Sequence, residues 1–339
     1  MLNQISPASD VLSLDAEATT NRIAESLRLQ VAQVLRRRGL VVAMSGGVDS
    51  SVCAALAVRA LGPRRVFGLC MPERDSDPAS LELAKEWAAA LGVEYVVEDI
   101  APALAALRCY ERRDAAIRRI VPEFGPGWKM KIVLPGNRLE SDRLNTYELV
   151  LRSPTGEMQS LRLPPDVYRT IVAATNFKQR VRKTLEYYHA DRLHYAVVGT
   201  PNRLEYDQGF FVKGGDGLAD VKPIAHLYKT QVYLLADHLG VPAGITSRPP
   251  TTDTYSLPQS QEEFYFSLPA RTMDLVLHAH NAGLDVHEAG ARLGLEAEQI
   301  RRAYVDIERK RSTTRYLHLA PVLVEPVPEV HDGSADVVA

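Results

Sequence analysis

The chain has 339 residues, 40 Lys and Arg against 42 Asp and Glu, a formal net charge of −2 and 46% apolar residues. That balance excludes a bulk nucleic-acid or membrane-surface binder, and the length allows one large domain or two small ones with a well-buried core. No apolar run approaches the roughly 18 residues that span a bilayer, the first ten residues carry no signal-peptide pattern, and Cys53, Cys70 and Cys109 form no CxxC pair, so the expectation is a cytoplasmic protein with reduced thiols and neither membrane nor nucleic acid as partner.

Residues 1–14 are polar and irregular and read as a flexible tail. Ile23, Leu27, Val31, Val34 and Leu35 then fall at helical spacing, predicting a helix over Asp15–Arg38 that stops at Gly39. Leu40–Met44 is a short apolar run, as in a strand buried on both faces. An alanine-rich helix follows over Ser50–Leu61, then a strand over Val66–Cys70, a helix over Pro78–Leu91 and a strand over Glu94–Val97. Strands alternating with helices require parallel pairing, because each crossover returns the chain to the same end of the sheet. A helix lies near 103–120. A further helix, Asn176–His189, leads into a strand over Tyr195–Gly199. The predicted fold class is therefore α/β, a doubly wound parallel sheet.

A different texture interrupts this frame. Trp128–Leu134, Tyr147–Arg152 and Met158–Leu163 are strand-like, and Ser153-Pro154-Thr155-Gly156 is a turn. They predict a small β-meander at about 125–165. After Pro242 comes a loop rich in Thr, Ser and Pro, then helices near 269–281, 286–293 and 296–310. The reading is one domain over 15–315 with the meander inserted, and a tail over 316–339. Val286–Arg311 has the spacing of a helix-turn-helix, with Ala289, Leu293, Leu295 and Ile300 placed for a two-helix core.

The sharpest motif is Ser45-Gly46-Gly47-Val48-Asp49-Ser50-Ser51, between the first strand and its helix. Two glycines allow a tight turn, and the helix start offers unpaired N–H groups to an anion. Asp49 would repel a bare anion, so its presence points to a bridging Mg²⁺. The lysine of a GxxxxGK[ST] loop is missing.

This motif resembles the signature of the PP-loop ATP pyrophosphatases, which cleave ATP to AMP and pyrophosphate. Asn176-Phe177-Lys178-Gln179-Arg180-Val181-Arg182, Gly199-Thr200-Pro201-Asn202-Arg203-Leu204-Glu205, Gly209–Asp220, Leu227–Val232 and Pro250-Thr251-Thr252-Asp253 resemble the NAD synthetase family in the same order. The resemblance implies that Ser45–Ser51, Thr200, Lys229 and Thr251 bind ATP. It implies that Asp49 and Glu205 hold Mg²⁺, and that Arg180, Lys213, Asp220, Arg309 and Lys310 bind the acid substrate. Asp216 would sit where ammonia enters, so Asp49, Lys229 and Asp216 are the expected catalytic residues. A homodimer is also implied, with Leu185, Tyr187 and Tyr188 as candidate contacts.

Two positions depart from the family pattern: Gly214 stands where a Tyr is usual, and Arg309 replaces a His. The implied reaction is an amidation. A carboxylate is adenylated by ATP, pyrophosphate leaves, and ammonia displaces AMP. The expected acid is nicotinic acid adenine dinucleotide. The alternative is another carboxylic acid, with the acid pocket reshaped by meander residues such as Trp128, Lys129, Lys131, Arg138 and Arg143. A catalytically silent nucleotide-binding regulator is disfavoured by the intact Asp49, Glu205 and Lys229. No glutaminase segment is visible, so the nitrogen arrives as free ammonia or from a separate glutaminase.

Overall fold

The computed structural model describes residues 11–134, 147–249, 254–266 and 268–330. Four parallel strands form the central sheet: β1 (Leu40–Ala43), β2 (Val66–Cys70), β3 (Glu94–Val97) and β7 (Ala196–Val198). Their spatial order is β3-β2-β1-β7, with Leu40 paired to both Val66 and Ala196. The chain builds away from β1 through β2 to β3, then returns to add β7 on the opposite side. The crevice beyond the ends of β1 and β7 is thus a topological switch point, where open α/β sheets bind ligands.

Helices cover both faces. α1 (Ala16–Leu29) and α2 (Val48–Leu61) pack on one face with α8 (Lys229–His238). Val52, Cys53, Ala54, Leu56 and Ala57 of α2 are completely buried, and the small side chains let this helix lie close to the sheet. The predicted first helix loses its regular form at Leu29 and ends in a wide turn, Gln30–Val34, closed by a 2.8 Å bond from Leu35 N–H to the Gln30 carbonyl. The wide turn keeps Val31 in the core while Val34 faces outward.

The helix expected near 103–120 is two helices, α4 (Ala101–Ala106) and α5 (Cys109–Arg118), because Arg108 takes φ of 58° between them. Helix α6 starts at Pro165 rather than Asn176 and continues to Leu193. Its early turns bury Val167 and Ile171 at helical spacing against the meander, a long-range contact that local pattern does not display.

The meander forms as expected. β4 (Lys129–Val133), β5 (Glu148–Arg152) and β6 (Met158–Arg162) pair antiparallel in that order. Met130, Ile132, Leu149 and Leu151 point inward and are completely buried, as period-two alternation requires. The β4 edge is closed by a strap, residues 254–266: Leu257 N–H donates to the Met130 carbonyl at 3.1 Å and Leu134 N–H to the Glu263 carbonyl at 2.8 Å. Arg138 and Arg143 lie outside the described residues.

A second core forms under α10 (Ala270–Asn281), α11 (Val286–Leu293) and α12 (Ala297–His318). The last helix runs past residue 315, where the tail was expected to begin. Lys213 Nζ donates to the carbonyls of Tyr316 (2.7 Å) and Leu319 (3.2 Å), and the His318 ring packs edge-on against Tyr206 and Phe211. Among the described residues no helix is long and apolar enough to cross a membrane.

Candidate active site

The turn after β1 is shaped by Gly46. Its φ is +76°, and a Cβ built there would lie 2.2 Å from the Ser80 carbonyl, so no other residue fits. Gly47 caps α2, whose first N–H groups open toward the cleft. Ser50 Oγ lies 3.0 Å from Ser45 Oγ and donates to the Gly47 carbonyl at 3.0 Å, holding the turn closed. Ser45–Ser50 line the cleft, whereas the Ser51 hydroxyl turns back to the Gly47 carbonyl at 2.9 Å.

The cleft has a volume of about 530 Å³ and is walled by segments distant in sequence. Asp49 projects from the first turn of α2 onto Lys229, the first residue of α8, and their side chains form a close ion pair. Lys229 is only 2% exposed. Asp274, reaching across from α10, accepts from Lys229 N–H (3.1 Å), Thr230 N–H (2.7 Å) and the Thr230 hydroxyl (2.7 Å). It therefore caps α8 and fixes the lysine's direction. Burial works to lower the Lys229 pKa, but the charges of Asp49 and Glu205 outweigh it and raise the value. Lys229 stays a cation in a poorly solvated place.

Asn202 and Glu205 come from the start of α7 (Arg203–Gln208). They form a capping box: the Asn202 side chain accepts from Leu204 and Glu205 N–H, and Glu205 Oε2 accepts from Asn202 N–H at 3.1 Å. Asn202 Nδ2 also donates to Asp49 Oδ1 at 3.1 Å, and Gln261 Nε2 donates to Glu205 Oε1 at 2.8 Å. Burial, reinforced by the neighbouring Asp49 charge, pushes the Glu205 carboxyl up to about 7. A carboxylate held that high is short of positive charge.

Thr200, Arg180, Lys213 and Asp216 also line the cleft. Arg180 Nε donates to the Lys213 carbonyl at 3.3 Å, and Asp216 accepts from Val212 N–H at 2.8 Å. Burial raises the Asp216 pKa against that hydrogen bond and the Lys183 charge. The other expected acid-binding residues stand elsewhere. Asp220 accepts from Val197 N–H (2.7 Å) and the Tyr187 hydroxyl (3.2 Å), outside the cleft lining. Arg309 is at the surface, and Lys310 pairs with Asp306 behind the rings of Tyr265 and Phe266. Thr251 lies outside the described residues. Trp128 packs on Phe124 and Lys131 pairs with Glu263, and neither these two nor Lys129 line the cleft. The meander instead reaches it through Tyr147.

Several supporting residues escaped the sequence reading. The Asn202–Glu205 spacing is a legible cap signal, but Gln261 and Asp274 act across 56 and 45 residues of chain and leave no local trace. A buried cluster beside the cleft was also missed. Lys178 Nζ donates to Glu73 (2.7 Å), Asp75 (2.9 Å) and the Thr254 carbonyl (2.7 Å), while Arg113 pairs with Asp75 at 2.7 Å and the Tyr110 hydroxyl donates to Glu73 at 2.8 Å. Lys183 and Glu186 form another buried pair at 2.6 Å, both lining the cleft. All three cysteines are buried, and burial raises each thiol pKa, so none is an activated nucleophile.

The glycine turn at the switch point, with the buried Lys229 paired to Asp49 beside it, is the α/β arrangement that the PP-loop resemblance implies. The family model described as NAD synthase matches residues 19–121 and 153–315. The chain belongs to that family. It is 60% identical over 328 residues to the NH(3)-dependent NAD(+) synthetase of Rhizobium meliloti (strain 1021), covering 97% of this chain and 98% of that one. It is 35% identical over 330 residues to the protein of the same name from Methanopyrus kandleri, covering 95% and 96%. Among solved structures, the NH3-dependent NAD synthetase of Campylobacter jejuni superposes with a TM-score of 0.61 at 22% identity, over 92% of this chain and 100% of that one. NMN synthetase from Francisella tularensis gives 0.62 at 20%, over 92% and 99%. At these identities the structural likenesses establish the fold alone.

Proposed function

We propose that this chain is an ammonia-dependent NAD synthetase, joining ammonia to nicotinic acid adenine dinucleotide while ATP becomes AMP and pyrophosphate. The names of the full-length relatives favour this acid over any other. The observation that carries the reading is the convergence of Asp49, Asn202, Glu205, Lys229 and Gln261 on one cluster at the mouth of the glycine turn. The direct test is turnover of the purified protein with that dinucleotide, ATP, Mg²⁺ and ammonium. Absence of NAD would reject it.

A carboxylate oxygen is a poor leaving group, so the acid must first be activated. The α2 N–H groups and the Ser45 and Ser50 hydroxyls take the ATP phosphates, and Lys229 neutralises charge as pyrophosphate departs. Arg180 and Lys213, at the cleft wall, orient the acid. Asp216 takes a proton from ammonium, so that neutral ammonia attacks the acyl-adenylate. The reaction runs in the cytoplasm, a setting supported by the three free, buried thiols.

Asp49 and Glu205 are hard oxygen donors whose charges are only partly balanced by Lys229, and the raised Glu205 carboxyl suits a divalent cation. Two carboxylates plus substrate phosphates make an ordinary Mg²⁺ environment. Bound there, Mg²⁺ would supply positive charge to the phosphates. Because Glu205 keeps its proton below about 7, proton and metal compete for it. The Mg²⁺ concentration needed for half activation should therefore fall as pH rises through about 7. A half-activation constant unchanged across that range would remove Glu205 from the metal site.

The active unit is proposed to be a homodimer, as the family resemblance implies. Of the three expected contact residues, Leu185 packs within the chain and Tyr187 bonds Asp220, leaving Tyr188 59% exposed on α6. Light scattering at micromolar concentration should give twice the chain mass. A monomer there contradicts the proposal.

A further inference from the structure

The family match stops at residue 121 and resumes at 153, so β4 and β5 lie outside it. Yet this segment is built firmly into the frame. Its inward face joins α5 and α6 in one buried cluster, and β4 is hydrogen-bonded to the strap. Tyr147, the residue just before β5, lines the cleft. That ring stacks on Tyr168 of α6, with centroids 4.3 Å apart and planes at 12°. Phe264 of the strap stands beside it at 6.3 Å, and Phe210 continues the row 5.9 Å from Phe264. All four rings line the cleft and keep part of their surface exposed.

The cleft lining follows α6 from Tyr168 to Glu186, about 27 Å of helix at 1.5 Å per residue. One mononucleotide does not fill such a length. The phosphate-binding turn and its charges belong to one part of it. The aromatic row belongs to another, where clustered, half-exposed rings suit a flat apolar occupant. The two nucleotide substrates of the proposed reaction carry three heterocycles between them.

We infer that Tyr147 is a base-stacking residue, forming with Tyr168 and Phe264 a platform for the heterocycle of a bound nucleotide substrate. The inference rests on the proposed function for the identity of the nucleotides. Stacking of a base on an aromatic ring is sequence-tolerant and strong enough to move affinity about tenfold when the ring is lost. Tyr147 is thus the member of the platform that the meander supplies from outside the family-wide match, while Tyr168 and Phe264 lie within it.

The test is calorimetric titration of ATP and, separately, of nicotinic acid adenine dinucleotide into wild type, Tyr147→Leu and Tyr147→Phe. Tyr147→Leu should weaken one of the two nucleotides about tenfold and leave the other unchanged, while Tyr147→Phe should bind both like wild type. Whichever nucleotide weakens is the one whose base stacks. Equal affinities in Tyr147→Leu and wild type for both nucleotides overturn the inference, as does equal weakening of both. Should Tyr147→Leu fail to fold, Tyr147→Trp carries the test: its emission, relative to wild type, should be quenched by the stacking nucleotide, and unchanged emission at saturation overturns the inference. Wild type that binds both nucleotides yet makes no NAD would sink the proposed function and leave the platform standing.

Discussion

Asp49→Asn is expected to lower kcat by at least about a hundredfold while leaving the fold intact, the scale at which loss of one preorganised electrostatic group is felt. Asparagine keeps the size of the side chain. Its oxygen can still accept from Lys229 or Asn202, the two groups that hold Asp49 now. What disappears is the charge that balances a buried lysine and that directs a cation to the phosphates. ATP consumption in the presence of the dinucleotide and ammonium measures the loss, and a thermal melt checks the fold. Consumption near the wild-type rate would show that the charge of Asp49 has no part in the chemistry.

Lys178→Met should destabilise the protein by about 3–5 kcal/mol, the usual consequence of removing one partner from a buried ion pair. Lys178 is 1% exposed, and its departure leaves Glu73 and Asp75 facing each other without its charge. Against a typical total of about 5–15 kcal/mol this is a large share. The same lysine donates to the Thr254 carbonyl, so the strap loses one of its anchors as well. Acid should reproduce part of the effect. Burial works to raise the Asp75 pKa, but Lys178 and Arg113 overcome it and hold the carboxyl below its ordinary value. Its contribution is therefore present above pH about 4 and is lost as pH falls through the depressed value. Urea denaturation of both proteins at neutral and acid pH reads the difference. A midpoint for Lys178→Met equal to that of wild type would show the cluster to be ornamental.

The parts of the molecule legible in sequence are those whose physics is local. The turn from Ser45 to Ser51 carries its own reasons: positive φ at Gly46, a helix cap at Gly47, hydroxyls that close the loop. The alternation in β4–β6 and the apolar run of β1 likewise announce themselves. The parts that were not legible depend on meetings across the chain. The early turns of α6 are helical because Val167 and Ile171 find the meander, while Pro164 and Pro165 read locally as a loop. Asp274 looks like any helix carboxylate until α8 is set on top of it. Lys310 and Asp220 match a motif by position, yet their nearest partners, Asp306 and the Val197 amide, engage them away from the cleft. Tyr147 is one aromatic residue among fourteen tyrosines until the fold turns it toward the site.

The central claim is that the cleft activates a carboxylate by adenylation, and a heavy-oxygen label in the carboxylate of nicotinic acid adenine dinucleotide tests it most directly. Attack by that carboxylate on the α-phosphorus, followed by displacement with ammonia, leaves one labelled oxygen in AMP and none in pyrophosphate. The account predicts that distribution, with one labelled AMP for each NAD formed. Label recovered in inorganic phosphate alongside ADP, or unlabelled AMP beside newly formed NAD, would contradict it.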